Sequence, residues 1–213
     1  MKNKKDLWFS VALFALFILW TMLVSFVDVQ SIGPQKSAVG FAAINRMFHD
    51  LTGVHMTLYH ITDWLGLVPV AFGFGFGVFG LIQWIKRKHI LKVDRSILIL
   101  GGYYMIVLAI YLFFEKFVVN YRPVLINGYL EASYPSSTTL LVLCVMPTAN
   151  IQLNTRIKNI RLHRIVSCAI NIFIVFMVIG RLLSGVHWLT DIVGGIFLGT
   201  GLTMLYGYIC NLK

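Results

Sequence analysis

Three ionisable residues in the second half of the chain have the spacing Arg-x5-His-x3-Asp: Arg181, His187 and Asp191. On a helix, His187 and Asp191 share one face. A carboxylate so placed can accept a hydrogen bond from one imidazole nitrogen, which fixes the tautomer and frees the other nitrogen to attack. Arg181, with Arg122 of an upstream Arg122-Pro123 pair, offers the planar fork that grips phosphate oxygens and offsets charge developing at phosphorus. The encoded chemistry is attack on a phosphoryl group. It requires no metal ion and no cofactor. Asp28, Asp50, Asp63, Glu115, Glu131 and Asp191 form no compact carboxylate run of the kind that holds magnesium.

Composition says what must position these residues. The chain has 213 residues, is 58% hydrophobic and has a mean hydropathy of +0.81. A soluble domain of that length cannot hide so much apolar surface, so the bilayer is its solvent. Backbone groups in hydrocarbon must be paired within the protein, and the apolar stretches are continuous rather than alternating, which selects helices over a barrel. A crossing takes roughly 20 apolar residues. Six stretches fit: 7–27, 64–85, 96–114, 136–153, 165–183 and 189–210. The fourth is diluted by Pro147 and hydroxyl residues. The first has too long an apolar core, and no small-residue cleavage site after it, to be a cleaved leader. The expected fold is an all-α integral membrane bundle of six helices forming one domain over 1–213.

In the outer loop 28–63, Phe41, Ile44, Phe48 and Leu51 recur at helical spacing opposite Asn45, Arg46, His49 and Asp50, which predicts a helix lying in the membrane interface. Gly195 and Gly199, and likewise Gly73 and Gly77, are spaced for close helix packing. Cys144, Cys168 and Cys210 sit in apolar stretches as small core residues.

The formal charge of +10 does not point to nucleic acid, because the basic residues flank the apolar segments. Lys2, Lys4, Lys5, Lys86, Arg87, Lys88, Lys92, Arg95, Arg156, Lys158, Arg161, Arg164 and Lys213 fall on one side, against Lys36, Arg46, Lys116, Arg122 and Arg181 on the other. The richer side is cytoplasmic by the positive-inside rule, which places both termini inside and the arginine–histidine group outside.

Arg181-Leu-Leu-Ser-Gly-Val-His187-Trp-Leu-Thr-Asp191 resembles the third signature of the type 2 phosphatidic acid phosphatase superfamily, R-x5-H-x3-D. Arg122-Pro123 resembles the end of its first signature, K-x6-R-P, and Pro135-Ser136-Ser137-Thr138 its second, P-S-G-H. The resemblance covers about residues 60 to 205. It implies a helical bundle and a phosphohistidine mechanism, with His187 as nucleophile and Asp191 orienting it. It also implies a phosphate site formed by Arg122, Arg181, Ser136, Ser137 and Thr138 with nearby backbone N–H groups, an assignment that the affinity of helix N-termini for anions supports. Its members act on lipid phosphates or diphosphates in the bilayer.

Two positions depart from the pattern. Glu115 occupies the first-signature lysine position, with Lys116 one place on, rotated by about 100° on a helix. Thr138 stands where the superfamily has its proton-donating histidine, and general acid catalysis is commonly worth about 10²–10⁴ in rate. Three readings follow: a diphosphate substrate with a better leaving group; a proton from Glu115, Glu131, Tyr134, His49, His55 or His60; or a site that binds lipid phosphate without turnover. Transfer of the phosphoryl group to another acceptor, in place of water, is equally open, as are the lipid's identity and the oligomeric state.

Overall fold

The computed structural model describes residues 2–210, with side chains from Lys4 onward. Lys213 and the side chain of Lys2, both counted on the basic side, lie outside the described residues. The chain forms α1 (Lys2–Phe26), α2 (Ala42–Thr52), α3 (Met56–Leu65), α4 (Leu67–Arg87), α5 (Arg95–Lys116), α6 (Ser137–Asn154), α7 (Ile160–Leu183) and α8 (Leu189–Cys210). Five stretches are long and apolar enough to cross a membrane: Lys4–Phe26, Met56–Arg87, Arg95–Lys116, Ile160–Leu183 and Leu189–Cys210. This is a multi-pass helical membrane protein.

The stretch expected as a fourth crossing is α6, which is not among those five. Its polarity has a reason: α6 packs against α4, α5, α7 and α8, and Thr138, Thr139, Thr148 and Gln152 are buried there. A helix walled by protein can carry hydroxyls and an amide that a lipid-facing helix could not. Pro147 within α6 has no N–H to return to the Leu143 carbonyl. The hydroxyl of Thr203 on α8 donates to that carbonyl at 2.6 Å, so the gap in the ladder is closed by a neighbour. Gly195 and Gly199 let the two helices meet: a Cβ would lie 3.1 Å from Thr139 Cγ2 at the former and 2.8 Å from Leu143 Cβ at the latter. The second glycine pair behaves differently. Gly73 makes only ordinary contact with Tyr104, and Gly77 borders a groove between α4 and α5 instead of a tight helix contact.

α1 is fastened to α8 through Ser10 Oγ to the Gly201 carbonyl (2.8 Å) and the Trp20 indole to the Thr190 carbonyl (3.1 Å). In the loop that follows α1, the segment expected to be helical forms α2. Ile44, Met47 and Leu51 are exposed, whereas Asn45 is buried against α8. The second crossing begins earlier than the sequence suggests, because α3 runs almost straight into α4 through Gly66, whose backbone stays right-handed helical. α3 packs on α7 and carries the face Tyr59, Thr62 and Asp63 toward the site.

Candidate active site

The loop between α5 and α6 folds back on itself as a short hairpin. Asn127 and Gly128 both have positive φ (50° and 83°), the conformation of a two-residue hairpin turn, and Ile126 pairs with Tyr129 across it. Arg122 N–H donates to the Glu131 carbonyl and Ser133 N–H to the Asn120 carbonyl, so the pairing sets Asn120, Arg122 and Ser133 side by side. Tyr134 anchors the returning strand. Its hydroxyl meets Thr21 at 2.7 Å, and its ring stacks on Phe17 and abuts Gly194.

The other half of the site comes from the α7–α8 turn. Gly185 has φ +69°, and a Cβ there would fall 2.1 Å from the Gly53 carbonyl oxygen, so a side chain is excluded both by conformation and by space. The turn delivers His187 just ahead of α8. Asp191, on the first turn, reaches back so that Oδ2 accepts from Trp188 N–H at 2.9 Å, while Asn45 Oδ1 accepts from Thr190 N–H at 3.3 Å. Two of the helix's unpaired N–H groups are thereby capped.

Arg122, from the α5–α6 loop, is brought against His187, Asp191 and Arg181, which are close neighbours in the chain, and all four are buried. Nε2 of His187 lies between the two guanidinium groups, 3.5 Å from Arg122 Nη1 and 3.4 Å from Arg181 Nη2. The expected direct histidine–aspartate hydrogen bond is absent. Nδ1 is 3.9 Å from Asp191 Oδ2, and Ser133 Oγ fills the gap, 2.9 Å from Nδ1 and 2.5 Å from Oδ2. Asn120 Nδ2 donates to Asp191 Oδ1 at 3.2 Å. Burial, reinforced by the charges of Arg122 and Arg181, holds the His187 imidazole well below its ordinary pKa. The ring is therefore neutral at physiological pH, the state a nucleophile requires.

Each arginine has a carboxylate at the rim. Glu131 Oε2 sits 3.1 Å from Arg122 Nε, at an angle too poor for a hydrogen bond, and Asp63 Oδ1 is 3.7 Å from Arg181 Nη1. Arg181 also lies over the Tyr59 ring at 5.0 Å and 3.4 Å from Thr62 Oγ1. Among the described residues, Arg122 Nε, Arg181 Nε and Ser136 Oγ are buried donors without a hydrogen-bond partner. Such groups are costly to bury unless an acceptor meets them, and an oxyanion is the acceptor that suits two guanidinium groups.

The remaining sequence candidates lie around this core. Ser136 is fully buried at the N-cap of α6, with its N–H donating to the Asp191 carbonyl. Thr138 is buried in the first turn of α6, and among the described residues its hydroxyl makes no hydrogen bond to the four central side chains. Ser137 and Glu115 line a small cavity together with Ser133, Tyr111 and Phe114. Lys116 is exposed at the end of α5. His49 packs against Trp188, His55 bonds the Thr52 carbonyl, and the His60 ring lies tilted beside Tyr59. Among the described residues no three His, Cys, Asp or Glu side chains gather as metal ligands.

Ser133, Asn120 and the α3 face of Tyr59, Thr62 and Asp63 escape the sequence reading. The first two had a partial signal in the Asn127-Gly128 pair, which marks a hairpin; the register that turn alone gives would set Ser133 opposite Arg122, and the observed pairing of Ser133 with Asn120 is shifted from it by two residues. The α3 contact depends on helix packing and had none.

The fold and the buried cation–imidazole–carboxylate cluster define a helical membrane protein with a candidate anion site at one end of its bundle. The PAP2 superfamily model matches residues 96–211, which is more than half of the chain, and the protein belongs to that superfamily. The crystal structure of the first transmembrane PAP2 type phosphatidylglycerolphosphate phosphatase from Bacillus subtilis superimposes with a TM-score of 0.57 at 19% identity, covering 96% of this chain and 97% of that one. At that identity the likeness is one of fold. No curated protein matches the sequence.

Proposed function

We propose that this protein is a phosphatase of lipid phosphates or isoprenoid-lipid diphosphates, acting at the outer face through a phosphohistidine. The observation that carries the reading is the position of His187 Nε2, uncharged and flanked by two guanidinium groups. A phosphoryl group gripped by Arg122 and Arg181 lies against Nε2. Nε2 attacks phosphorus, and the bond from phosphorus to the lipid oxygen breaks with its electron pair leaving on that oxygen, which takes up a proton. Water then attacks the phosphohistidine, the Nε2–P electron pair returns to the ring as inorganic phosphate departs, and the proton that the water gives up to solvent balances the one that the lipid oxygen took from solvent. Arg122 and Arg181 offset the charge on the phosphoryl oxygens in both steps. Ser136 at the start of α6 offers a further donor, with Ser137 and Thr138 beside it.

Two features support an outer, membrane-level site: the asymmetry of basic residues, and the exposed apolar face of α2, which suits a helix resting in the interface. With α6 as the sixth crossing, both termini face the cytoplasm. Thr138 supplies no titratable proton, which favours a diphosphate, whose leaving group is a phosphate monoester rather than an alkoxide. It equally motivates a second reading, a lipid-phosphate binder without turnover.

The test is phosphate release from a short-chain phosphatidic acid and from farnesyl diphosphate, side by side, with and without vanadate. Release from either, blocked by vanadate and abolished in His187→Ala, is expected. Binding without release, and no acid-labile phosphoprotein, would instead support the binder.

A further inference from the structure

Asp191 is too far from His187 to orient it directly: 3.9 Å separates Nδ1 from Oδ2. Ser133 Oγ lies between them. The proton order across this bridge follows from the surroundings. Oδ2 also accepts from Trp188 N–H, and Oδ1 accepts from Asn120, so the carboxylate is surrounded by donors and acts as acceptor only. The single hydroxyl proton of Ser133 points at Oδ2. Its lone pair is left for Nδ1, which must carry the ring proton. The opposite side gives the same answer independently, because a guanidinium cannot accept a hydrogen bond and two of them face Nε2.

We propose that Ser133 is a positioning residue, a hydroxyl bridge through which Asp191 holds the His187 ring and keeps Nε2 as the nitrogen with the free lone pair. The bridge is suited to the task because all its members are buried and fixed. Ser133 is 2% exposed and set by its backbone pairing with Asn120, and Tyr134 next to it is locked by Thr21. When phosphorus bonds to Nε2 and the ring gains positive charge, the carboxylate receives the effect through the serine hydroxyl.

The effect on rate rests on the phosphohistidine reading, but the bridge itself does not, and two measurements keep them apart. The first is proton NMR of the full-length protein in detergent micelles, following the hydrogen-bonded Nδ1–H resonance that His187→Gln removes. It should vanish or collapse into solvent exchange in Ser133→Ala, move in Asp191→Asn, and persist in Ser133→Thr. A resonance untouched by either Ser133→Ala or Asp191→Asn overturns the bridge, whatever the protein catalyses. The second is phosphate release from whichever of short-chain phosphatidic acid and farnesyl diphosphate turns over. Ser133→Ala should lower kcat about 10²-fold, the scale of a misplaced reacting group, with KM nearly unchanged. Ser133→Ala combined with Asp191→Asn should be no slower than Asp191→Asn alone, because both remove one linkage. Losses that multiply would show Ser133 and Asp191 acting separately and overturn the proposal. A wild type that turns over neither lipid would fail the phosphatase reading and leave the resonance to decide the bridge.

Discussion

Thr203 on α8 donates its hydroxyl to the carbonyl of Leu143 on α6, the acceptor that Pro147 leaves unserved. The two helices thus share a hydrogen bond that neither could supply alone, deep in a bundle where water does not compete. Thr203→Val should destabilise the protein by about 0.6–1.7 kcal/mol, the range for interhelical polar contacts in membranes. Pro147→Ala restores the missing N–H, so in that background the cost of Thr203→Val should shrink. Reversible unfolding in mixed detergent micelles measures both.

The two arginines should prove unequal to lysine. Arg181 is 1% exposed and spends its planar group on the Tyr59 ring, Thr62 and His187 at once. Lysine keeps the charge but not the fork. Arg181→Lys is expected to lower kcat/KM about 10²–10³-fold, the scale for losing one transition-state donor. Arg122→Lys should act in the same direction, and steady-state phosphate release reads both.

In the proposed reaction, the rim carboxylates would compete with an incoming phosphate for the two guanidinium groups. Glu131 and Asp63 sit against Arg122 and Arg181 with 42% and 57% of their side chains exposed, so water screens each pair heavily. Removing the charge should tighten anion binding modestly. Vanadate should inhibit Glu131→Gln and Asp63→Asn about 2–5-fold more strongly than wild type, as expected for pairs worth up to about 1 kcal/mol. Inhibition titrations at fixed substrate decide it.

Stability should fall in acid through His187. Its folded pKa lies below the ordinary 6.5, depressed first by burial and then by Arg122 and Arg181. Below that ordinary value the unfolded chain takes up a proton that the folded protein resists. The folded state therefore loses stability as pH drops from about 6.5 toward the depressed value, and is unaffected by this group above it. His187→Gln should flatten that part of the melting-temperature profile relative to wild type between pH 7.5 and 5.

The Arg-x5-His-x3-Asp spacing by itself singled out Arg181, His187 and Asp191, three of the four side chains that the structure brings together, as candidates for phosphoryl chemistry. Arg122-Pro123 added the second arginine. The apolar runs likewise marked the membrane helices, since hydrocarbon leaves the backbone few alternatives. The diluted run at 136–153 was legible as a helix but not as the protein-walled centre of the bundle. Hydropathy registers what a residue is, whereas burial against α4, α5, α7 and α8 depends on which helices surround it. Only the tertiary structure placed Ser133 between His187 and Asp191, gave each arginine a rim carboxylate, and set the α3 face against Arg181. Those relations join residues distant in sequence, at separations from 2.5 Å to 5.0 Å. Helical periodicity fixes which face a side chain is on, but not whether a carboxylate stops at hydrogen-bonding distance or 3.9 Å away, where a serine must complete the contact.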